Sequence, residues 1–124
     1  MAEMYFTKEH EWVTVEGTTG KVGISDHAAH ELGDITFVEL PKAGKVVKQF
    51  DVLAAIESVK AASDIYSPVS GRVLTVNTEL DTTPEVVNES AEEKAWMVVL
   101  DLADLSELKN LMTKDQYDEY LKTL

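Results

Sequence analysis

The stretch Ala54–Ser63, "AAIESVKAAS", is the most informative part of the chain. A single lysine, Lys60, stands there among small, apolar and acidic residues. Candidate β-strands run over residues 52–57 and 63–66, so the residues between them are predicted to form a tight turn. We expect a lysine at such a turn to be exposed, so that its amine can enter the active site of an enzyme that acylates it.

Two other interpretations of Lys60 compete with this one. It could be an ordinary solvated surface lysine without a function. It could also form a nucleophilic pair with Ser58, as in a hydrolase. That pair requires a lysine that has lost its proton, and burial is what disfavours the charged form of a lysine. The predicted exposure of the turn therefore argues against the hydrolase.

Short strand-like segments separated by turn signals continue on both sides of this turn. Their spacing is typical of an all-β sandwich or barrel. The further candidate strands are residues 12–15, 21–24, 34–40, 72–77 and 95–102. The stretch between residues 78 and 94 is polar and carries no strand pattern.

Helical signals are confined to one internal segment and the end of the chain. The predicted helices cover residues 25–33, 105–112 and 114–124. Ser25 or Asp26 can cap the first of them, and Gly33 can end it. Thr113 and Gln116 have the capping-box spacing that begins the last. We therefore predict a single domain over residues 1–124, with a β core and a C-terminal helical cover.

The charge balance restricts the possible partners. Eleven Lys and Arg residues stand against 23 Asp and Glu residues, for a formal net charge of -12. A phosphate backbone or an anionic lipid surface would repel such a protein, so neither nucleic acid nor membrane is an expected partner. Acidic surfaces instead suit docking onto basic patches of other proteins.

The chain contains no cysteine, which excludes disulfides, thiolate metal sites and cysteine nucleophiles. No run of residues has the length or hydropathy of a membrane span, and the start of the sequence has no secretory leader pattern. We expect a cytoplasmic, monomeric protein that holds no metal.

The segment "ESVKAASDIYSPVSG", residues 57–71, closely resembles the lipoylation segment of the glycine cleavage system H proteins. Biotin carriers typically place methionine on both sides of the modified lysine, and acyltransferase lipoyl domains usually place aspartate before it. Val59 and Ala61 match the H proteins and neither of the other two classes. The resemblance extends over nearly the whole chain, through "KEHEWV", "VGISDHA", "ELGDITFVELP", "PEVVNE" and "SELKNLM".

This resemblance implies a mainly β fold: a flattened hybrid of two antiparallel sheets, like a lipoyl or biotinyl domain, with a short internal helix and C-terminal helices. It also implies that Lys60 carries covalent lipoate and that the protein has no catalytic activity of its own. The partners it implies are a pyridoxal-phosphate-dependent glycine decarboxylase, an aminomethyltransferase, a dihydrolipoyl dehydrogenase, and a lipoyl/octanoyl transferase or lipoate ligase. The alternative is an H-like protein that mainly relays lipoate to 2-oxoacid dehydrogenases.

The resemblance suggests further site residues. Glu11 and Asp64 match family positions near the cleft in which the lipoyl arm rests, where carboxylates could hold a cationic load; each could equally be an ordinary solvated carboxylate. The candidates for recognition by the enzyme that attaches lipoate are Glu57, Ser58, Val59 and Ala61. The chain departs from the family pattern at residues 91–95 and at Phe50, where a turn glycine is common.

Overall fold

The computed structural model describes residues 3–124, and residues 1 and 2 lie outside the described part. The strands are β1 (Met4–Phe6), β2 (Glu11–Glu16), β3 (Thr19–Ile24), β4 (Ile35–Glu39), β5 (Val46–Val47), β6 (Val52–Ser58), β7 (Ala62–Tyr66), β8 (Gly71–Val76), β9 (Val98–Leu102) and β10 (Met112–Thr113). The helices are α1 (Asp26–Leu32), α2 (Glu79–Thr82), α3 (Val86–Ser90), a 3₁₀ helix (Leu105–Asn110) and α4 (Lys114–Leu121).

The strands form two antiparallel sheets, as predicted. The larger sheet has the order β10-β1-β2-β3-β9-β8-β5, and the smaller one has the order β4-β6-β7. Alternating side chains of both sheets enter one shared core, which includes Val22, Val38, Ile56 and Leu100. The smaller sheet therefore has one face on the core, and its strand β7 lies at an edge.

The two predicted helix caps are present. The Ser25 side chain accepts a hydrogen bond from the backbone N–H of Ala28 at the start of α1, and Gly33 follows the helix with a φ of 79°. Thr113 and Gln116 form a reciprocal capping box at the start of α4. Both helices begin where local side-chain chemistry satisfies backbone donors that have no helical partner.

A second apolar cluster attaches α4 to the larger sheet. The rings of Tyr117 and Phe6 stack with their centroids 4.2 Å apart, beside the buried Trp12. The Tyr117 hydroxyl lies 2.7 Å from the Ser25 hydroxyl and 2.8 Å from Nδ1 of His10. The C-terminal helix is therefore connected to both the start of α1 and the loop before β2.

The structure corrects three parts of the sequence interpretation. The polar stretch 78–94 contains the short helices α2 and α3, because Leu80, Val86 and Val87 are buried in the core. Residues 105–110 form a 3₁₀ helix rather than an α-helix. The short strands β1, β5 and β10 lack an alternating pattern of their own and were not predicted. Residues 3–124 contain no helix with the length and hydropathy of a membrane span.

Candidate functional site

Lys60 lies at a sharp bend between β6 and β7, which we call the Lys60 bend (residues 58–61). The N–H of Ser58 donates to the carbonyl of Ala61 at 2.8 Å. The Ser58 hydroxyl accepts hydrogen bonds from the N–H groups of Lys60 at 3.2 Å and Ala61 at 3.1 Å. These bonds determine the backbone path through the bend, while the Lys60 side chain remains exposed. The exposure predicted for Lys60 is confirmed, and the hydrolase lacks the buried lysine that it needs.

A neighbouring segment supports the bend from one side. The N–H of Val59 donates to the carbonyl of Asp34 at 3.0 Å. Asn88 of α3 clamps this segment, because its side chain accepts from the N–H of Ile35 and donates to the carbonyl of Gly33, both at 2.8 Å. Asn88 is a positioning residue that the sequence reasoning missed, since its partners lie more than fifty residues away in the chain.

Gly33 has a backbone conformation that favours glycine, and it lies beside the Lys60 side chain. Its φ of 79° is a conformation that L-residues with side chains rarely adopt. A Cβ at this position would also lie 3.0 Å from Cε of Lys60. The stem of the Lys60 side chain therefore passes over the end of α1, directly beside the residues that line a cleft.

This cleft, which we call the arm cleft, has a volume of about 300 Å³. It lies between the edge strand β7, helix α1 and the loop that leads into β2. Four carboxyl groups line it, from Glu9, Glu11, Glu31 and Asp64, and no lysine or arginine is among its described lining residues. The cleft is therefore strongly acidic, and residues 63–66 of β7, the strand that follows the Lys60 bend, form one of its walls.

Glu11 is buried at the bottom of the arm cleft, with 1% of its surface exposed. Its Oε1 accepts a hydrogen bond from the Thr7 hydroxyl at 2.5 Å, and its Oε2 accepts one from the N–H of Tyr66 at 3.2 Å. Burial raises the pKa of Glu11 to about 7, although these hydrogen bonds oppose the shift. Glu11 is thus a buried group near its titration point at neutral pH, which excludes the alternative of an ordinary solvated carboxylate.

The other cleft carboxylates differ from Glu11 in exposure. Asp64 lies exposed on β7 and lines both this cleft and a second depression, which Lys45 also lines. The structure thus places Glu11 and Asp64 on the same cleft, and their proximity to a lipoyl arm stays a prediction. Glu9 and Glu31 join them without having been predicted, because only the folded chain places α1 opposite β7. Four carboxyl groups in one cleft favour the binding of a cationic ligand.

His10 completes the wall of the cleft and also contacts α4. Its φ is 72°, in the left-handed region, and its ring lies 4.7 Å from that of His27. Burial, and then the neighbouring His27, lowers the pKa of His10. His10 therefore links the cleft to Tyr117 through the contact between its Nδ1 and the Tyr117 hydroxyl.

The four candidates for recognition by the lipoate-attaching enzyme occupy different environments. Glu57, Val59 and Ala61 are exposed around Lys60. Ser58 is partly buried, and its hydroxyl is engaged by the backbone of the bend. The hydrogen bonds that Ser58 makes within the bend therefore account for a serine at this position.

The family model described as "Glycine cleavage H-protein" matches residues 4–124. The chain belongs to the glycine cleavage H-protein family. The chain is 54% identical over 121 residues to the glycine cleavage system H protein of Caulobacter vibrioides, covering 98% of this chain and 100% of that protein. The H protein of Anoxybacillus flavithermus is 50% identical over 119 residues, which are 96% of this chain and 94% of the relative.

A solved structure of a glycine cleavage system H protein from Mycobacterium marinum has a similar fold. It superposes with a TM-score of 0.86 at 26% sequence identity, and the match covers 98% of each chain. The family and the fold predicted from the sequence are thus confirmed. H proteins carry lipoate, so membership gives this chain the role of a lipoyl carrier in glycine cleavage.

We predict that Asn88→Ala loosens the Lys60 bend. The change removes both hydrogen bonds of the clamp, at a cost of about 1 kcal/mol in the free energy of unfolding, and it frees the segment that supports Val59. Hydrogen exchange at the Val59 amide should accelerate more than the loss of global stability accounts for. Asn77→Ala is the control, because that side chain donates to the carbonyl of Lys94 instead. If the Val59 amide is equally protected from exchange in both variants, after correction for their global stabilities, Asn88 does not support the bend.

We also predict a pH dependence of stability that originates at Glu11. Its folded-state pKa of about 7 lies above the ordinary value of 4.5. The folded protein therefore retains a proton that the unfolded chain releases, so stability falls as pH rises from 4.5 to about 7 and levels off above it. The loss is on the order of 3 kcal/mol. Chemical denaturation across this range should show the fall in wild type and in Glu16→Gln, and a flatter profile in Glu11→Gln. The same fall in Glu11→Gln would contradict the assignment.

Proposed function

We propose that Lys60 carries lipoate in amide linkage and that this chain shuttles the aminomethyl group of glycine on that arm. The partners are the glycine decarboxylase, which loads the arm, the aminomethyltransferase, which unloads it, and the dihydrolipoyl dehydrogenase, which reoxidises it. One observation carries the proposal: the exposed Lys60 lies on a hydrogen-bonded bend directly before β7, the edge strand that lines an acidic cleft. A tethered carrier keeps its load at a high effective concentration for each partner in turn.

The residues around Lys60 fit a lipoyl group. The amine is exposed on a bend whose neighbours Val59 and Ala61 are small and exposed, which leaves room for the enzyme that attaches lipoate. Once attached, the arm can lie along the edge strand β7, within the arm cleft. The chain has no cysteine, so no internal thiol competes for the lipoyl disulfide.

The lipoyl group would supply the disulfide whose sulfur accepts the aminomethyl carbon. The residues of the chain would then hold the loaded, cationic amine. Asp64 and Glu31 offer exposed carboxylates near the mouth of the arm cleft, and Glu11 offers a buried one at its bottom. A cation within a few ångströms favours the ionised form of a carboxyl group, so Glu11 would release its proton when the loaded arm enters.

The acidic surface supports brief encounters with several partners. With a formal net charge of -12, long-range attraction to basic docking sites raises the rate of association more than the lifetime of each complex. A carrier that binds three enzymes in succession needs fast association together with short-lived complexes. Glu57, Val59 and Ala61 surround the lysine and are the side chains that the lipoate-attaching enzyme would read.

Lipoylation at Lys60 is the first test. The chain, expressed in cells supplied with lipoate, should gain one lipoyl group by intact mass. Lys60→Arg should gain none, because the guanidinium is protonated and not nucleophilic at cellular pH. Lys48→Arg is the matched control, since it alters another exposed lysine in a tight turn and should be fully modified. A lipoyl group on the Lys60→Arg protein would place the modification elsewhere.

A second test concerns the cleft carboxylates. Glu11→Gln and Asp64→Asn should each speed the spontaneous loss of the aminomethyl group from the loaded protein, roughly three- to tenfold, because a charge-assisted hydrogen bond is lost. Glu57→Gln is the control, because this carboxylate lies on β6 outside the arm cleft. The decay is followed by intact mass after the decarboxylase has been removed. If all three variants decay at the wild-type rate, the cleft does not protect the load.

A further inference from the structure

The hydroxyl of Tyr117, on the C-terminal helix α4, connects two of the segments that build the arm cleft. Its oxygen lies 2.7 Å from the hydroxyl oxygen of Ser25 and 2.8 Å from Nδ1 of His10. Ser25 caps α1, which forms one wall of the cleft, and His10 lies in the loop that forms another. The Tyr117 ring is buried and stacks on that of Phe6, so its hydroxyl has a fixed position.

The burial of Ser25 determines the direction of this hydrogen-bond chain. A hydroxyl has one proton to donate and two lone pairs with which to accept. Ser25 is fully buried, and its side-chain oxygen already accepts from the N–H of Ala28. Within residues 3–124, Tyr117 is the remaining partner of the Ser25 hydroxyl, so Ser25 has to donate to Tyr117. Tyr117 in turn donates its own proton to Nδ1 of His10.

This direction requires an uncharged His10 ring with its proton on Nε2. A ring nitrogen that accepts a hydrogen bond carries no proton, and in a neutral imidazole the proton is then on the other nitrogen. A charged His10 would donate from Nδ1 toward Tyr117. One hydroxyl proton, of Ser25 or of Tyr117, would then be buried without an acceptor, which is unfavourable. The hydrogen-bond chain therefore opposes the protonation of His10.

The charged groups around His10 act in both directions. Burial of the ring and the adjacent His27 disfavour its charged form, whereas Glu9 and Glu31 favour it, and the balance lowers the pKa of His10. Further titratable side chains near the ring are Tyr120 of α4, Glu11 of β2, and Asp64 and Tyr66 of β7. The hydrogen-bond chain acts in the same direction as burial, and the Tyr117 hydroxyl is the link on which it depends.

We propose that the Tyr117 hydroxyl is a positioning group for the arm cleft, which holds the His10 ring in place and keeps it uncharged. This proposal rests on the proposed function, because its consequence concerns the loaded arm. An imidazolium on the wall of the cleft would repel the cationic amine of the load and offset the attraction of the carboxylates. Tyr117 thereby supports retention of the load, although it is not among the residues that line the cleft.

The first test needs neither lipoate nor partner enzymes. Heteronuclear NMR of the imidazole nitrogens in the wild-type protein should show His10 protonated on Nε2 at neutral pH. Tyr117→Phe keeps the ring that stacks on Phe6. A titration of this variant should give a higher His10 pKa than in wild type, because protonation no longer leaves a hydroxyl proton without an acceptor.

Tyr120→Phe is the matched control for this titration. It is the same change on the same helix, but the Tyr120 hydroxyl donates to the carbonyl of Lys8. It should leave the pKa of His10 at the wild-type value. A neutral wild-type His10 with its proton on Nδ1 would overturn the proposal, even if Tyr117→Phe did not fold.

The second test measures how long the loaded protein retains its aminomethyl group, by intact mass after the decarboxylase has been removed. Tyr117→Phe should lose the group roughly two- to tenfold faster than wild type at about pH 6, where its His10 becomes charged, and at the wild-type rate at about pH 8, where the ring is neutral in both proteins. A purely structural defect would raise the rate at both pH values.

The two tests separate this proposal from the proposed function. A wild-type chain that is neither lipoylated nor loaded would refute the carrier function, and the NMR titration would still decide the role of Tyr117 at His10. An unchanged His10 pKa in Tyr117→Phe, or an equal acceleration of loss at both pH values, would overturn that role and leave the carrier function intact.

Discussion

The hydrogen bonds of the Ser58 hydroxyl are the interaction on which the rest of the site depends. They determine the path of the backbone through the Lys60 bend, and the bond from Val59 to Asp34 joins that bend to the end of α1. A carrier lysine has to be exposed for its modifying enzyme and yet start its arm from a constant position. A flexible loop would expose the lysine but would not hold it in a constant position. The backbone hydrogen bonds of the bend hold the position of Lys60 and leave its side chain exposed.

The arm cleft shows how the fold combines two environments over a short distance. Its mouth carries exposed carboxylates, whereas Glu11 at its bottom is desolvated and has a pKa of about 7. A cleft of fully ionised carboxylates would attract any cation. Under the proposed function, a buried carboxyl that ionises when a cation arrives would make the attraction conditional on the arm's load.

The sequence predicted the features that depend on near neighbours. The Lys60 bend, helix α1 and the capping box of Thr113 each arise from contacts within a few residues, so their signals survive in the linear sequence. The clamp by Asn88 and the pairing of Tyr5 with Thr113 could not be predicted in this way, because both depend on residues far apart in the chain. The same holds for the burial of Glu11: a glutamate in "KEHEW" gives no local sign that Tyr66 will donate to it. The resemblance identified Glu11 by position, and its unusual titration follows only from the folded structure.

The central claim is that Lys60 carries the aminomethyl group, and loading with isotopically labelled glycine tests it most directly. The lipoylated chain is incubated with a glycine decarboxylase and the labelled glycine, and the peptide that contains Lys60 is then examined by mass spectrometry. The account predicts that the labelled carbon appears as an aminomethyl adduct on lipoyl-Lys60 and nowhere else in the chain. A chain that is fully lipoylated at Lys60 yet acquires no label, under conditions in which the Caulobacter vibrioides H protein is loaded, would contradict the account.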